Sequence, residues 1–134
     1  MAANLIADSS FLIALLIDRD RHHDWAIAQG AFHPRPWRTC EAAIAEAFYL
    51  VGPSGTDALI SLIRRGSVVS AFDFAAHADD VLRLMARYSN VPMAFADACL
   101  VRMTEILSDP VLLTTDSDFR IYRRHGRFAR PQPY

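Results

Sequence analysis

Residues 4–17 read NLIADSSFLIALLI. Asn4 to Ala7 is a short apolar run that predicts a buried strand, and Ser9 to Ile17 continues as an apolar helix. A strand feeding a helix is the first half of a β-α unit. At the joint stands Asp8, a carboxylate between two apolar elements, where charge is seldom found without a partner. Three more acids keep similar company: Glu46 inside AAIAEAFYLV, Asp97 inside MAFADACLV and Asp116 after VLLTT. A divalent cation is the simplest partner that several such carboxylates can share.

Outward from this stretch, Arg19 to Asp24 is a polar turn before a helix around Trp25 to Gln29, and Pro34 and Pro36 mark a loop with a very short strand near Trp37. Cys40 to Val51 reads as a helix apolar on nearly every side, which predicts burial. Ser54 and Asp57 resemble a capping box opening a helix over Ala58 to Arg65, closed by Gly66. Ser67 to Phe72 is a valine-rich strand. Phe74, Ala78, Val81, Leu82, Met85 and Tyr88 then define one helical face, with Asp79, Asp80, Arg83 and Arg87 on the solvated side. After a break at Ser89 to Pro92, a helix runs from Phe95 to Leu107 and a strand from Val111 to Thr114. A last short helix spans Ser117 to Arg124 and ends at Gly126, and Pro131 to Tyr134 is a loose tail. Alternating strands and helices predict an α/β sandwich with a largely parallel central sheet. In such sheets ligands bind beyond the carboxyl ends of the strands, where strand order reverses. Asp8 and Asp116, each just past a strand, then share one edge.

The chain has 134 residues and 52 % hydrophobic content, which fits a single globular domain over residues 1–130 with a tail at 131–134. Apolar stretches are interrupted before the ~18 to 20 residues that span a bilayer, and the N-terminus lacks a basic region with a cleavable apolar run. The expectation is a soluble, cytoplasmic protein with no membrane partner. Cys40 and Cys99 show no zinc-type spacing and read as reduced packing residues. Net charge is -1, so the molecule as a whole offers nucleic acid little attraction. Its cations are all Arg, and Arg120, Arg123, Arg124, Arg127 and Arg130 crowd the C-terminal end. They read equally well as a phosphate-holding surface beside Asp116 and Asp118 or as a solvated helix. The five histidines make no H-E-x-x-H pattern, and neither a nucleophile elbow nor a phosphate-binding P-loop is present.

Each acid has a bland reading. Asp8 can cap Ser9 to Ile17 and Asp97 can cap Ala98 onward. Glu46, in mid-helix among Ala43, Ile44, Ala45, Ala47 and Phe48, cannot cap, and facing inward it needs a cation. Glu41 competes for the same role, but an acid at a helix start is explained by the dipole. Phe11, Leu15 and Trp25 read as core in preference to a dimer face or a peptide groove.

DSS after an apolar strand, a Glu inside an apolar helix, ADACLV, and TTDSDF followed by YRRHGR together resemble the PIN domain family, particularly the VapC-like ribonucleases of toxin-antitoxin pairs. The resemblance covers most of the chain in the right order. It implies a three-layer sandwich and a Mg²⁺- or Mn²⁺-dependent endoribonuclease. It matches Asp8, Glu46, Asp97 and Asp116 to the family's four acids, Asp118 to a further acid of some members, and Ser10 and Thr114 to small polar positions that support them. It also implies an RNA substrate, a cognate antitoxin and a homodimer. Two other readings of the chain are a catalytically inactive binding module of this fold and a phosphoaspartate-type phosphohydrolase. The latter wants a Lys near the phosphoryl group, and this chain has none.

Overall fold

Asn4–Ala7 forms a strand, β1, and takes the middle of the sheet. The computed structural model describes residues 3–91, 93–120 and 127–131. Its other strands are β2 (Trp37–Thr39), β3 (Val68–Ser70), β4 (Pro110–Leu113) and β5 (Arg127–Ala129), in the order β3-β2-β1-β4-β5. Every neighbouring pair is parallel. The helices are α1 (Ser9–Leu16), α2 (His23–Phe32), α3 (Glu41–Arg64), α4 (Phe74–Arg87) and α5 (Phe95–Ile106), followed by a 3-10 turn at Ser117–Arg120.

Register decides which side chains meet. Leu5 lies opposite Val111, Ile6 opposite Leu112 and Ala7 opposite Leu113. Because successive side chains on a strand point to opposite faces, Leu5, Ala7, Val111 and Leu113 join α1 and α2 in one core with Phe11, Trp37 and Leu59. Ile6 and Leu112 join α4 and α5 in a second core with Val81, Leu100, Met103 and Phe119. The result is a three-layer α/β sandwich. Burying each of these large side chains contributes roughly 1.5–3 kcal/mol. Phe11 is fully buried, edge-on to Trp37 and Trp25 at 5.5 and 6.1 Å, so it serves as core, as its apolar surroundings predict.

Several elements differ in detail from the sequence expectation. The two helices read at Cys40 to Val51 and Ala58 to Arg65 are present and follow each other directly within α3, separated by a kink at Gly52, whose φ of 65° and ψ of −170° other residues reach only at a cost. The second half restarts at Pro53, since proline suits a first helical position, and not at a Ser54–Asp57 capping box. Nor is the first half buried all round, because Tyr49 is 85 % exposed. In α4 the backbone departs from helical values at His77 (φ −126°, ψ 15°), which shifts the phase. Val81, Leu84, Met85 and Tyr88 pack inward, whereas Leu82 faces solvent. The expected helix over Ser117 to Arg124 is a 3-10 turn as far as Arg120, and its remainder lies outside the described residues. Strand β5 was not expected. Among the described residues no helix is long and apolar enough to cross a membrane.

Candidate functional site

The strand order turns back between β1 and β4, and both strands end in acidic loops. Asp8 follows β1 and Asp116 follows β4 by three residues. The Asp8 N–H donates to the Leu113 carbonyl at 3.0 Å, which extends the ladder to the site. Asp8 occupies the N-cap position of α1, yet its side chain makes no capping bond. Instead the carboxylate, 4 % exposed, turns toward β4.

Hydroxyl groups there form a closed proton account. Thr114 Oγ1 and Ser10 Oγ each donate to Asp8 Oδ2 at 2.7 Å. A hydroxyl has one proton, so both are then spent, and their lone pairs accept from the Asp116 N–H at 2.9 Å and the Thr115 N–H at 3.0 Å. The Asp116 carboxylate accepts in turn from the Asp118 N–H at 2.8 Å. On the other side, Ser9 Oγ donates to Glu46 Oε1. That leaves no proton for its 3.5 Å contact with Asp8 Oδ1, and Oδ1 is a buried oxygen without a proper donor among the described residues. Ser9 was not singled out from the sequence. The serine doublet was its only signal, and a residue pairing with a glutamate 37 positions away leaves no local pattern.

Asp97 is the third residue of α5, and its Oδ2 accepts from the Ala94 N–H at 3.1 Å. It therefore helps close the helix start, but from inside the first turn and not as the cap. Burial pushes its carboxyl up to about 7 despite that bond, with the charges of Asp8, Asp116 and Glu46 adding to the rise. Burial also raises Asp8, the Thr114 and Ser10 hydrogen bonds oppose this, and Asp116 and Glu46 raise it further. The structure thus brings Asp8, Glu46, Asp97 and Asp116 within one another's fields. Glu41 is outside this group, exposed at the start of α3. Asp118 neighbours Asp116, and its own carboxylate contacts none of the other acids among the described residues. The described ion pairs, Arg83 with Asp79 and Arg102 with Asp80 and Glu105, involve none of the four. The side chains of Arg120 and Arg127, together with Arg123 and Arg124, lie outside the described residues, and Arg130 donates to the Pro131 carbonyl at 3.3 Å.

A divalent cation fits this donor set. All candidate ligands are hard carboxylate oxygens, one of them an unpartnered oxygen on a buried acid. Among the described residues no three His, Cys, Asp or Glu side chains stand close enough to form a ready-made cage. Mg²⁺ does not require one, because it keeps several waters and takes one or two protein carboxylates. Cys40 and Cys99 are free and buried.

The architecture is that of an open parallel α/β sheet with acidic residues gathered at its switch point. Comparison with known families carries this further: the PIN domain model matches residues 5–124, and the chain belongs to the PIN domain family. Among solved structures, it is similar to the crystal structure of Mycobacterium tuberculosis VapC20, described as a sarcin-ricin loop cleaving toxin. The TM-score is 0.72 at 21 % identity, covering 87 % of this chain and 93 % of that one. At that identity the likeness concerns the fold. Comparison with curated proteins finds no significant match.

Proposed function

We propose that the protein is a Mg²⁺- or Mn²⁺-dependent endoribonuclease, the toxin of a toxin-antitoxin pair, with residues 1–130 as its single catalytic domain and 131–134 as a tail. The observation that carries this reading is the buried Asp8 carboxylate, whose charge two hydroxyls favour against burial, whose Oδ1 has only the 3.5 Å Ser9 contact, and whose neighbours are acidic. Asp8, Glu46, Asp97 and Asp116 are assigned to the cation and Asp118 to the outer edge of the site. A bound divalent cation supplies charge neutralisation and Lewis-acid polarisation at a phosphodiester. The chain's own groups prepare for it. Thr114 and Ser10 favour the accepting form of Asp8 against its burial, Ser9 orients Glu46, the Ala94 N–H fixes Asp97, and the Asp118 N–H aims Asp116.

Membership of the PIN family and the VapC20 likeness support the choice of RNA as substrate and of an antitoxin protein as partner.

Purified protein incubated with single-stranded RNA is expected to cleave it in Mg²⁺ or Mn²⁺ and to stop when the metal is chelated. Asp8→Asn and Asp97→Asn should each lower the rate by about a hundredfold or more, since even supporting bonds at metal sites are worth 10–100-fold. Circular dichroism should show the fold intact. Wild-type rates from a folded Asp8→Asn protein would defeat the proposal.

A further inference from the structure

A second concavity of about 710 Å³ opens along the same edge of the sheet, among Glu41, Phe72, Asp73, Phe74, Phe95 and Cys99. Its volume lies in the range of small-ligand sites, ~300–1,000 Å³. It sits beyond the carboxyl ends of β2 and β3, whereas the four acids gather beyond β1 and β4. The centres of those strand pairs are two strand spacings apart, ~10 Å. A ligand spanning both places is extended, as a nucleotide chain is.

The lining limits what fits. Phe74 and Phe95 pack edge to face at 5.0 Å yet remain 38 % and 41 % exposed, and Phe72 lies flat on His77 at 5.3 Å. Aromatic faces left open to water suit a flat π system, and bases of single-stranded RNA are recognised by stacking on such side chains. Among the described residues no Arg lines the cleft and two carboxylates do, which disfavours a phosphate as occupant and favours hydrogen-bond donors. Asp73 is already engaged, capping α4 through the Ala75 N–H at 3.1 Å. Glu41, in the first turn of α3, has no hydrogen-bond or ion-pair partner among the described residues, so both of its oxygens are free to accept.

Guanine alone among the four bases presents two adjacent donors on its pairing edge, N1–H and the N2 amine, matching a carboxylate bidentately. Uracil offers one N–H between two carbonyls, which a carboxylate repels. We infer that this cleft binds a guanine base of the RNA substrate close to, but not at, the scissile phosphate, stacked on Phe95 and read by Glu41. The inference rests on the nuclease reading above.

The test uses single-stranded RNA oligonucleotides of uridine carrying one guanosine, with all-uridine and single-inosine controls, since inosine lacks the N2 amine. Cleavage should cluster beside the guanosine, and both controls should be cut about tenfold less efficiently. In Glu41→Ala the guanosine-to-inosine ratio should collapse toward unity, with Glu41→Asp retaining part of it. Phe95→Ala should raise KM for the guanosine substrate. Guanosine and uridine are also titrated into Asp8→Asn protein and followed by NMR. Guanosine should bind more tightly and perturb Glu41, Phe74 and Phe95. The two readings fail separately. Absence of cleavage on every oligonucleotide defeats the nuclease reading, whereas cleavage without guanosine preference, or equal binding of the two nucleosides, overturns the base pocket.

Discussion

At the scale of single residues, the site is a balance between desolvation and hydrogen bonding. Asp8 receives two hydroxyl protons and is still raised because burial outweighs them. Asp97 shows the same imbalance more openly, with a carboxyl near 7 against an ordinary 3.8. A folded-state value above the unfolded one means that the native protein prefers the proton. The associated stability is complete below the unfolded value and is lost as pH rises through the folded one. In chelator, therefore, Tm is expected to fall as pH is raised from about 4 to about 7, and Asp97→Asn should flatten that decline. A differential scanning calorimetry profile with the same slope in wild type and Asp97→Asn would contradict this account. The acids themselves were legible in the sequence, because a charge amid apolar residues is conspicuous wherever it falls. What the sequence withheld was their orientation. Asp8 has the backbone of an N-cap but a side chain turned toward β4, and Asp97 serves a helix start from its third residue; neither distinction leaves a trace in residue type.

At the scale of elements, α3 delivers Glu46 from one end while its other end packs through Leu59 and Leu62 under the sheet. Gly52 joins the two helical halves across their kink by taking a conformation that other residues reach at a cost of about 1–3 kcal/mol. Its added methyl would meet nothing within 4 Å, so Gly52→Ala isolates the backbone term. Urea denaturation should show a loss of that size, and an unchanged midpoint would mean the break is not strained. The GPSG stretch announced an interruption, but a capping box was the wrong mechanism, because a proline after the glycine already starts a helix. Similarly, the apolar face of α4 was readable from Val81 onward, where the helix is regular. Leu82 is the one residue of that stretch assigned to the wrong face, because the count carried from Phe74 crosses the irregular turn at His77. β5 was missed because three residues, Arg127 to Ala129, are too few to display alternation.

At the scale of the whole molecule, a net charge of -1 leaves RNA attraction to local fields, and the carboxylate group at the sheet edge is repulsive until a cation offsets it. Asp8→Asn aside, wild-type protein with a non-cleavable RNA is expected to bind more tightly as Mg²⁺ replaces monovalent salt at constant ionic strength. Fluorescence anisotropy that is indifferent to the divalent ion would rule out this electrostatic gate. The layered α/β class was readable from the alternation of elements, whereas the order β3-β2-β1-β4-β5 was not, since parallel neighbours are chosen by long-range packing. That order has a temporal implication. One of the two hydroxyls that steady Asp8 belongs to Thr114, 106 positions downstream, and β4 is the partner that closes the corner. In synthesis, Thr114 and Asp116 are added after Asp8, Glu46 and Asp97. A chain cut before Thr114 is therefore expected to keep Asp8, Glu46 and Asp97 yet lack both the hydroxyl and the fourth acid that complete the cluster.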